Sequence, residues 1–178
     1  MSAFDDARFR AAYPVSFLLR RAHRENWFRV HSLPDSKRYA ETEAEWDTLI
    51  ERHKSLSEAV IGLGGPCRIH YSLFLDEKPP NDLSPALTWS EASETFIGGD
   101  ESVFTRTAEA NWDFDRFLSW IKLRANDDFG WISFHSTVTD CIYSPYDGGA
   151  DVFSADPRML LKLRTDFAAW RSSNPEGL

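Results

Sequence analysis

Two carboxylates four residues apart are the first candidates for chemistry. In YSPYDGGADVF, residues 143–153, Asp147 stands at the tip of a turn and Asp151 at the mouth of the strand that returns from it. Pro145 fixes one backbone angle, Asp147-Gly148 suits the positive φ values of a primed hairpin turn, and Gly149 leaves room for a bulge. Turn formation accounts for the proline and the glycines. It does not account for Tyr146 or Asp151. Two acids so placed can hold a cation or a basic side chain, with Tyr146 closing over it. The plainer alternative is that Asp serves the turn's own hydrogen bonds.

A second set lies in RVHSLPDSKRYAETE, residues 29–43. A strand ends at His31-Ser32, Pro34 forces a turn, and Ser36, Lys37, Arg38 and Tyr39 project from a loop held between rigid elements, where functional residues tend to lie. Arg38 beside Tyr39 suits a phosphate or a carboxylate, because a guanidinium grips either in a fork. Against that, Lys37 and Arg38 can bridge to acids such as Glu41 and Glu43. If this loop meets the turn, Lys37 and Arg38 face Asp147 and Asp151 either as a salt-bridge network or as the frame of a polar site.

Five histidines complete the inventory. His23, His31, His53, His70 and His135 show no zinc-binding spacing, so neither a metal nor another cofactor is expected. His53 falls on an apolar helical stripe, as a core histidine does. His31, His70 and His135 fall on strands, where pairing can bring two together. With Ser32, Ser133 and Asp147 a hydrolytic triad can be drawn, but no G-x-S-x-G elbow is present.

These residues need a frame. FDDARFRAAYP reads as a short helix stopped before Pro14, and Ser16 as the cap of a second through FLLRRAHREN. WFRVHSL alternates as a half-buried strand with Phe28 and Val30 inward. Thr42 and Glu45 form a capping box, followed by a stripe of Trp46, Leu49, Ile50, His53, Leu56 and Val60 and a stop at GLGGP. Those glycines follow a helix and lack a Gly-Lys-Ser/Thr continuation, which excludes a phosphate loop. CRIHYSLFL is a strand, DEKPPNDLSPA at 76–86 a loop, and SVFTRTAEANW a weaker strand or arm. DFDRFLSWIKLR is helical, and WISFHSTV is a strand with Ile132, Phe134 and Val138 on one face. TDCIYS and ADVFS flank the turn. Asp156 caps a last helix begun by Pro157, with the stripe Leu160, Leu163, Phe167 and Trp170. The mixed order and the hairpin imply one α+β domain, residues 1–178, with a mostly antiparallel sheet and helices packed on it.

Composition narrows the function. A formal charge of −8 opposes general nucleic-acid binding and favours a basic protein partner. No run approaches the ~20 apolar residues of a membrane span and no leader is apparent, so a cytoplasmic protein with Cys67 and Cys141 reduced and buried is expected. The 13 Phe, 7 Trp and 5 Tyr are rings for a core and for an interface.

WFRVHSLPDSKRYAETEAEW, YSPYDGGADVF and the closing WRSSNPEGL resemble a family of small bacterial domains of unknown function. Its pattern is H-S-L-P-x-S-K-R-Y-A early, Y-D-G-G-x-D late, and a final Trp followed by P-x-G-L. The resemblance covers both ends, while the middle, from Ile61 to Trp131, carries no signature. It implies no activity, but it places His31, Ser36, Lys37, Arg38, Tyr39, Tyr146, Asp147, Gly148, Gly149 and Asp151 on the family's pattern. The expectation is a binding protein, resembling an immunity protein or antitoxin that blocks a basic toxin domain. The alternative is a small-ligand binder or hydrolase with its site between the loop and the turn.

Overall fold

A computed structural model describes residues 4, 9, 12–74, 87–98 and 101–171. The N-terminal helix expected before Pro14 and the loop 76–86 fall mostly or wholly outside these. Seven antiparallel strands form one sheet in the order β1-β7-β6-β5-β2-β4-β3. They are β1 (Trp27–His31), β2 (Pro66–Leu73), β3 (Ser93–Gly98), β4 (Glu101–Asn111), β5 (Trp131–Ser136), β6 (Cys141–Tyr146) and β7 (Gly149–Ser154). Among the described residues four α-helices accompany them: α1 (Ser16–Ala22), α2 (Glu43–Ile61), α3 (Phe114–Ala125) and α4 (Pro157–Asp166). The fold is α+β.

Alternation within each strand sorts the side chains onto two faces. On one face Val30, Ile69, Phe134, Tyr143 and Val152 meet Leu56 and Val60 of α2, Phe117, Trp120 and Ile121 of α3, and Leu160 and Leu163 of α4. On the other, Trp27, Ile142 and Phe153 are covered by Phe4, Phe9, Ala12 and Leu19. This second cover explains why β1 is buried along its whole length rather than half-buried. The Phe28/Val30 alternation was real, but residues before β1 in sequence bury the face expected to meet water.

The capping box of α2 forms as the spacing implied, with Glu45 N donating to Thr42 Oγ1 at 3.3 Å and Thr42 N to Glu45 Oε2 at 3.1 Å. Gly62 ends this helix at φ 90°, a left-handed backbone that glycine adopts without strain. Asp156 caps α4, its Oδ1 accepting from Arg158 N at 2.8 Å, with Pro157 in the first position. Three local expectations change. Ser16 lies inside α1, whose N-cap is Val15. Val138 is exposed beyond the end of β5. SVFTRTAEANW belongs to an 11-residue strand, β4, which pairs with both β2 and the unforeseen β3.

The sheet edge at β1 is closed by arginines. Arg164 donates to the Trp27 carbonyl, Arg52 donates to the His31 carbonyl at 3.0 Å, and Arg171 forms an isolated bridge with Val30. These contacts satisfy backbone groups that would otherwise offer a template for another strand.

Candidate functional site

The turn at Asp147-Gly148 connects β6 to β7 with Tyr146 paired directly to Gly149. Neither Asp147 nor Gly148 adopts the left-handed backbone expected of a primed turn, and the register continues without a bulge at Gly149. The reason for Gly149 is the neighbouring strand. A Cβ there would lie 1.9 Å from the Val30 carbonyl oxygen, so only glycine lets β1 close on β7.

That closure puts Arg29 opposite Asp151. Arg29 donates from Nε to Asp151 Oδ1 at 2.8 Å and from Nη2 to Oδ2 at 2.9 Å, and the Trp27 indole N–H adds a third bond to Oδ1 at 2.8 Å. The guanidinium also sits 3.9 Å from the centre of the Tyr146 ring. Asp151 therefore holds a basic side chain with Tyr146 closing over it, and the chain itself supplies that side chain. The two charged groups are 8% and 6% exposed. Burial alone pulls the Arg29 guanidinium down, but hydrogen bonding to Asp151 and its charge outweigh this and leave it raised. Burial raises the Tyr146 phenol as well.

Asp147 meets the other motif. Arg38 Nη2 lies 2.5 Å from Asp147 Oδ2, and the Tyr39 hydroxyl donates to the same oxygen at 3.2 Å. Bonding to Asp147 raises the Arg38 guanidinium. Ser32 N donates to the Gly148 carbonyl at 3.0 Å, a further tie between loop and turn. The two motifs thus converge, but on a contact that is closed within the chain. Lys37 turns away to Glu41 at 2.8 Å and Glu45 at 2.7 Å, and the Lys37 bond is the main cause that holds the Glu45 carboxyl down at about 2. Of the acids expected for Lys37, Glu41 is a partner, while Glu45 rather than Glu43 is the second. Ser36 is exposed at φ 57° in a single 3₁₀ turn.

His31 is buried, and its Nε2 has no hydrogen-bond partner among the described residues. Burial, then the charge of Arg29, lowers its pKa. The crevice lined by His31, Ser32, Arg52, His53 and Gly149 has no room for a water molecule.

Two polar chains were not legible in the motifs. In the first, Ser32 Oγ lies 2.7 Å from His53 Nε2, and His53 Nδ1 lies 2.6 Å from the Tyr143 hydroxyl. His53 is pushed down to about 4 by burial and is neutral at pH 7. Ser32 and Tyr143 are both buried hydroxyls on one neutral imidazole, which donates to one of them and accepts from the other.

In the second chain, His135 Nε2 lies 2.8 Å from Asp140, Tyr13 Oη lies 2.8 Å from both His135 Nδ1 and His70 Nε2, and His70 Nδ1 lies 3.0 Å from Thr107 Oγ1. Asp140 accepts from His135 at one end, and Tyr13 bridges the two imidazoles. Burial, then the neighbouring His135, pushes His70 down to about 3. Strand pairing creates this chain: β2 and β5 are neighbours, and His70 and His135 share the face that Tyr13 covers.

Cys67 and Cys141 are free and buried, and burial pushes the Cys67 thiol up to about 12. Among the described residues no group of three or more His, Cys, Asp or Glu side chains is placed to hold a metal ion. No described helix is long and apolar enough to cross a membrane.

One family model, Domain of unknown function (DUF3885), matches residues 15–175. Comparison with the curated proteins and with the solved structures found no match in either.

Proposed function

This chain belongs to the DUF3885 family, and we propose that it is a protein-binding domain for a basic protein partner, in the manner of an immunity protein or antitoxin that covers a toxin's basic active site. One observation carries the reading. The loop and the turn meet at Asp147 through contacts made within the chain, yet leave the Arg38 side chain 63% exposed and Tyr39 41% exposed on a chain of formal charge −8. Asp35, Glu41, Glu43, Asp47 and Glu51 are exposed on the loop and along α2. Asp127, on the loop after α3, is close enough to act on the charges of both Arg38 and Tyr39.

Arg and Tyr, with Trp, are the side chains most enriched among the residues that anchor interfaces. With Asp147 neutralising Arg38, the patch presents an aromatic centre within an acidic field. Such a field speeds the approach of a basic surface and fixes its orientation. The ligand-site alternative loses its support at each required group. Asp151 is saturated by Arg29 and Trp27, Lys37 by Glu41 and Glu45, and Ser32 is buried at a crevice with no room for a water molecule.

The test is capture from the native host at low salt, identification of what remains bound, and titration of the purified partner by calorimetry. The expected partner is basic, binds one to one, weakens as salt rises, and loses about tenfold or more in affinity against Tyr39→Ala. A partner whose affinity ignores both salt and Tyr39, or the absence of any specific partner, would overturn the proposal.

A further inference from the structure

Beyond the two motifs, the end of β2 and the loop between α3 and β5 enclose a cleft of about 430 Å³. Aromatic rings dominate its walls. Tyr71 packs on Phe129 with centroids 4.9 Å apart, and Phe74 meets Trp131 edge to face at 4.8 Å. Phe74 is 51% exposed, so its ring is open to a ligand in the cleft. The cleft wall depends on Gly130, where a Cβ would stand 2.6 Å from Leu73 Cδ2 and 3.0 Å from the Ser72 carbonyl oxygen.

The polar groups are few and their charges can be followed. Arg124 lines the cleft with a side chain only 8% exposed, forms an ion pair with Asp127, and donates to the Phe129 carbonyl at 3.3 Å. Its charge is thereby offset by Asp127. Asp128, exposed at the rim, has no ion pair among the described residues and leaves the cleft net negative. Arg124 Nε is buried and meets no acceptor among the described residues, so one donor on a cleft-lining side chain is unmet.

Ring faces and a carboxylate together recognise a cation. A Lys or Arg side chain is such a cation, and a cleft of this size accommodates one. We propose that this cleft receives a single basic side chain from a protein partner. Asp127, which lines the cleft, also acts on the charges of Arg38 and Tyr39, and the inference rests on the reading above for the identity of the partner.

The probes are Nα-acetyl-arginine methylamide and Nα-acetyl-lysine methylamide, titrated into the full chain and followed by amide and indole N–H resonances. Nα-acetyl-glutamine methylamide is the neutral control. Saturable shifts at the Trp131 indole and at residues 126–130 are expected for the basic probes only. Phe74→Ala and Asp128→Asn should each weaken them by about fivefold. Both sites are exposed, and unchanged resonances elsewhere will establish that the variants fold. Shifts that are absent, shared by the neutral probe, or untouched by both substitutions overturn the cleft. A basic partner that binds wild type and Phe74→Ala equally tightly overturns the inference while leaving the proposed function intact. Binding of the basic probes without any basic partner does the reverse: the cleft stands and the proposed function falls.

Discussion

Asp151→Ala is the substitution with the largest expected consequence. It removes the only carboxylate among the described residues that faces the Arg29 guanidinium at hydrogen-bond distance, and it strips the Trp27 indole of its acceptor. Arg29 is 8% exposed, so water cannot replace what is lost without opening the β1 edge. Breaking one side of a buried ion pair costs about 3–5 kcal/mol, because the remaining charge stays buried without compensation. For a domain of this size each kcal/mol lowers Tm by about 2–4 °C, so a fall on the order of 6–20 °C is expected. Urea unfolding followed by tryptophan fluorescence, with thermal melts alongside, measures both. The double variant Arg29→Met/Asp151→Leu should recover most of the loss, since it removes both charges and keeps apolar volume. A loss near 0–1 kcal/mol for Asp151→Ala would match an exposed pair and refute the reasoning.

Other expectations follow from the same geometry. Gly149→Ala should destabilise by about 1–3 kcal/mol or more, because its Cβ would force β1 away from β7, and urea midpoints will report it. Thr42→Ala should cost ~1 kcal/mol by removing the cap of α2, measured in the same way. His53 is depressed by burial to about 4 from a normal value of 6.5, so the unfolded chain binds the extra proton first as pH falls. Its contribution is complete above pH 6.5 and is lost as pH falls toward 4, and His53→Gln should flatten the stability profile across that window. Cys67 and Cys141 should resist a thiol reagent in the folded protein and react on unfolding; rapid reaction of the native protein would contradict their burial.

Local signals carried much of this architecture. Thr42 with Glu45, Gly62, and Asp156 with Pro157 marked helix ends through interactions that reach only a few residues, and each appears where the spacing put it. What eluded the sequence depends on residues brought together from afar. Asp151 was recognisable as a carboxylate waiting for a basic group, but only the register of β1 against β7 reveals that Arg29 is that group. Gly149 suggested a bulge because its real constraint, the Val30 carbonyl, lies more than a hundred residues away in the chain. β1 passed for half-buried because its second cover comes from Phe4, Phe9 and Leu19. The tyrosine-bridged histidines and the Ser32–His53–Tyr143 chain likewise arise from strand and helix neighbours that no spacing rule encodes.

The central claim is that the acidic face around Tyr39 receives a basic protein. Its most direct test is the association rate of the captured partner with wild type and with Glu43→Lys/Asp47→Lys, two exposed changes on α2, at low and at physiological salt. A rate that falls on the order of tenfold in the variant at low salt, and converges with wild type as salt rises, is the predicted result. Equal rates for the two proteins at every salt concentration would contradict it.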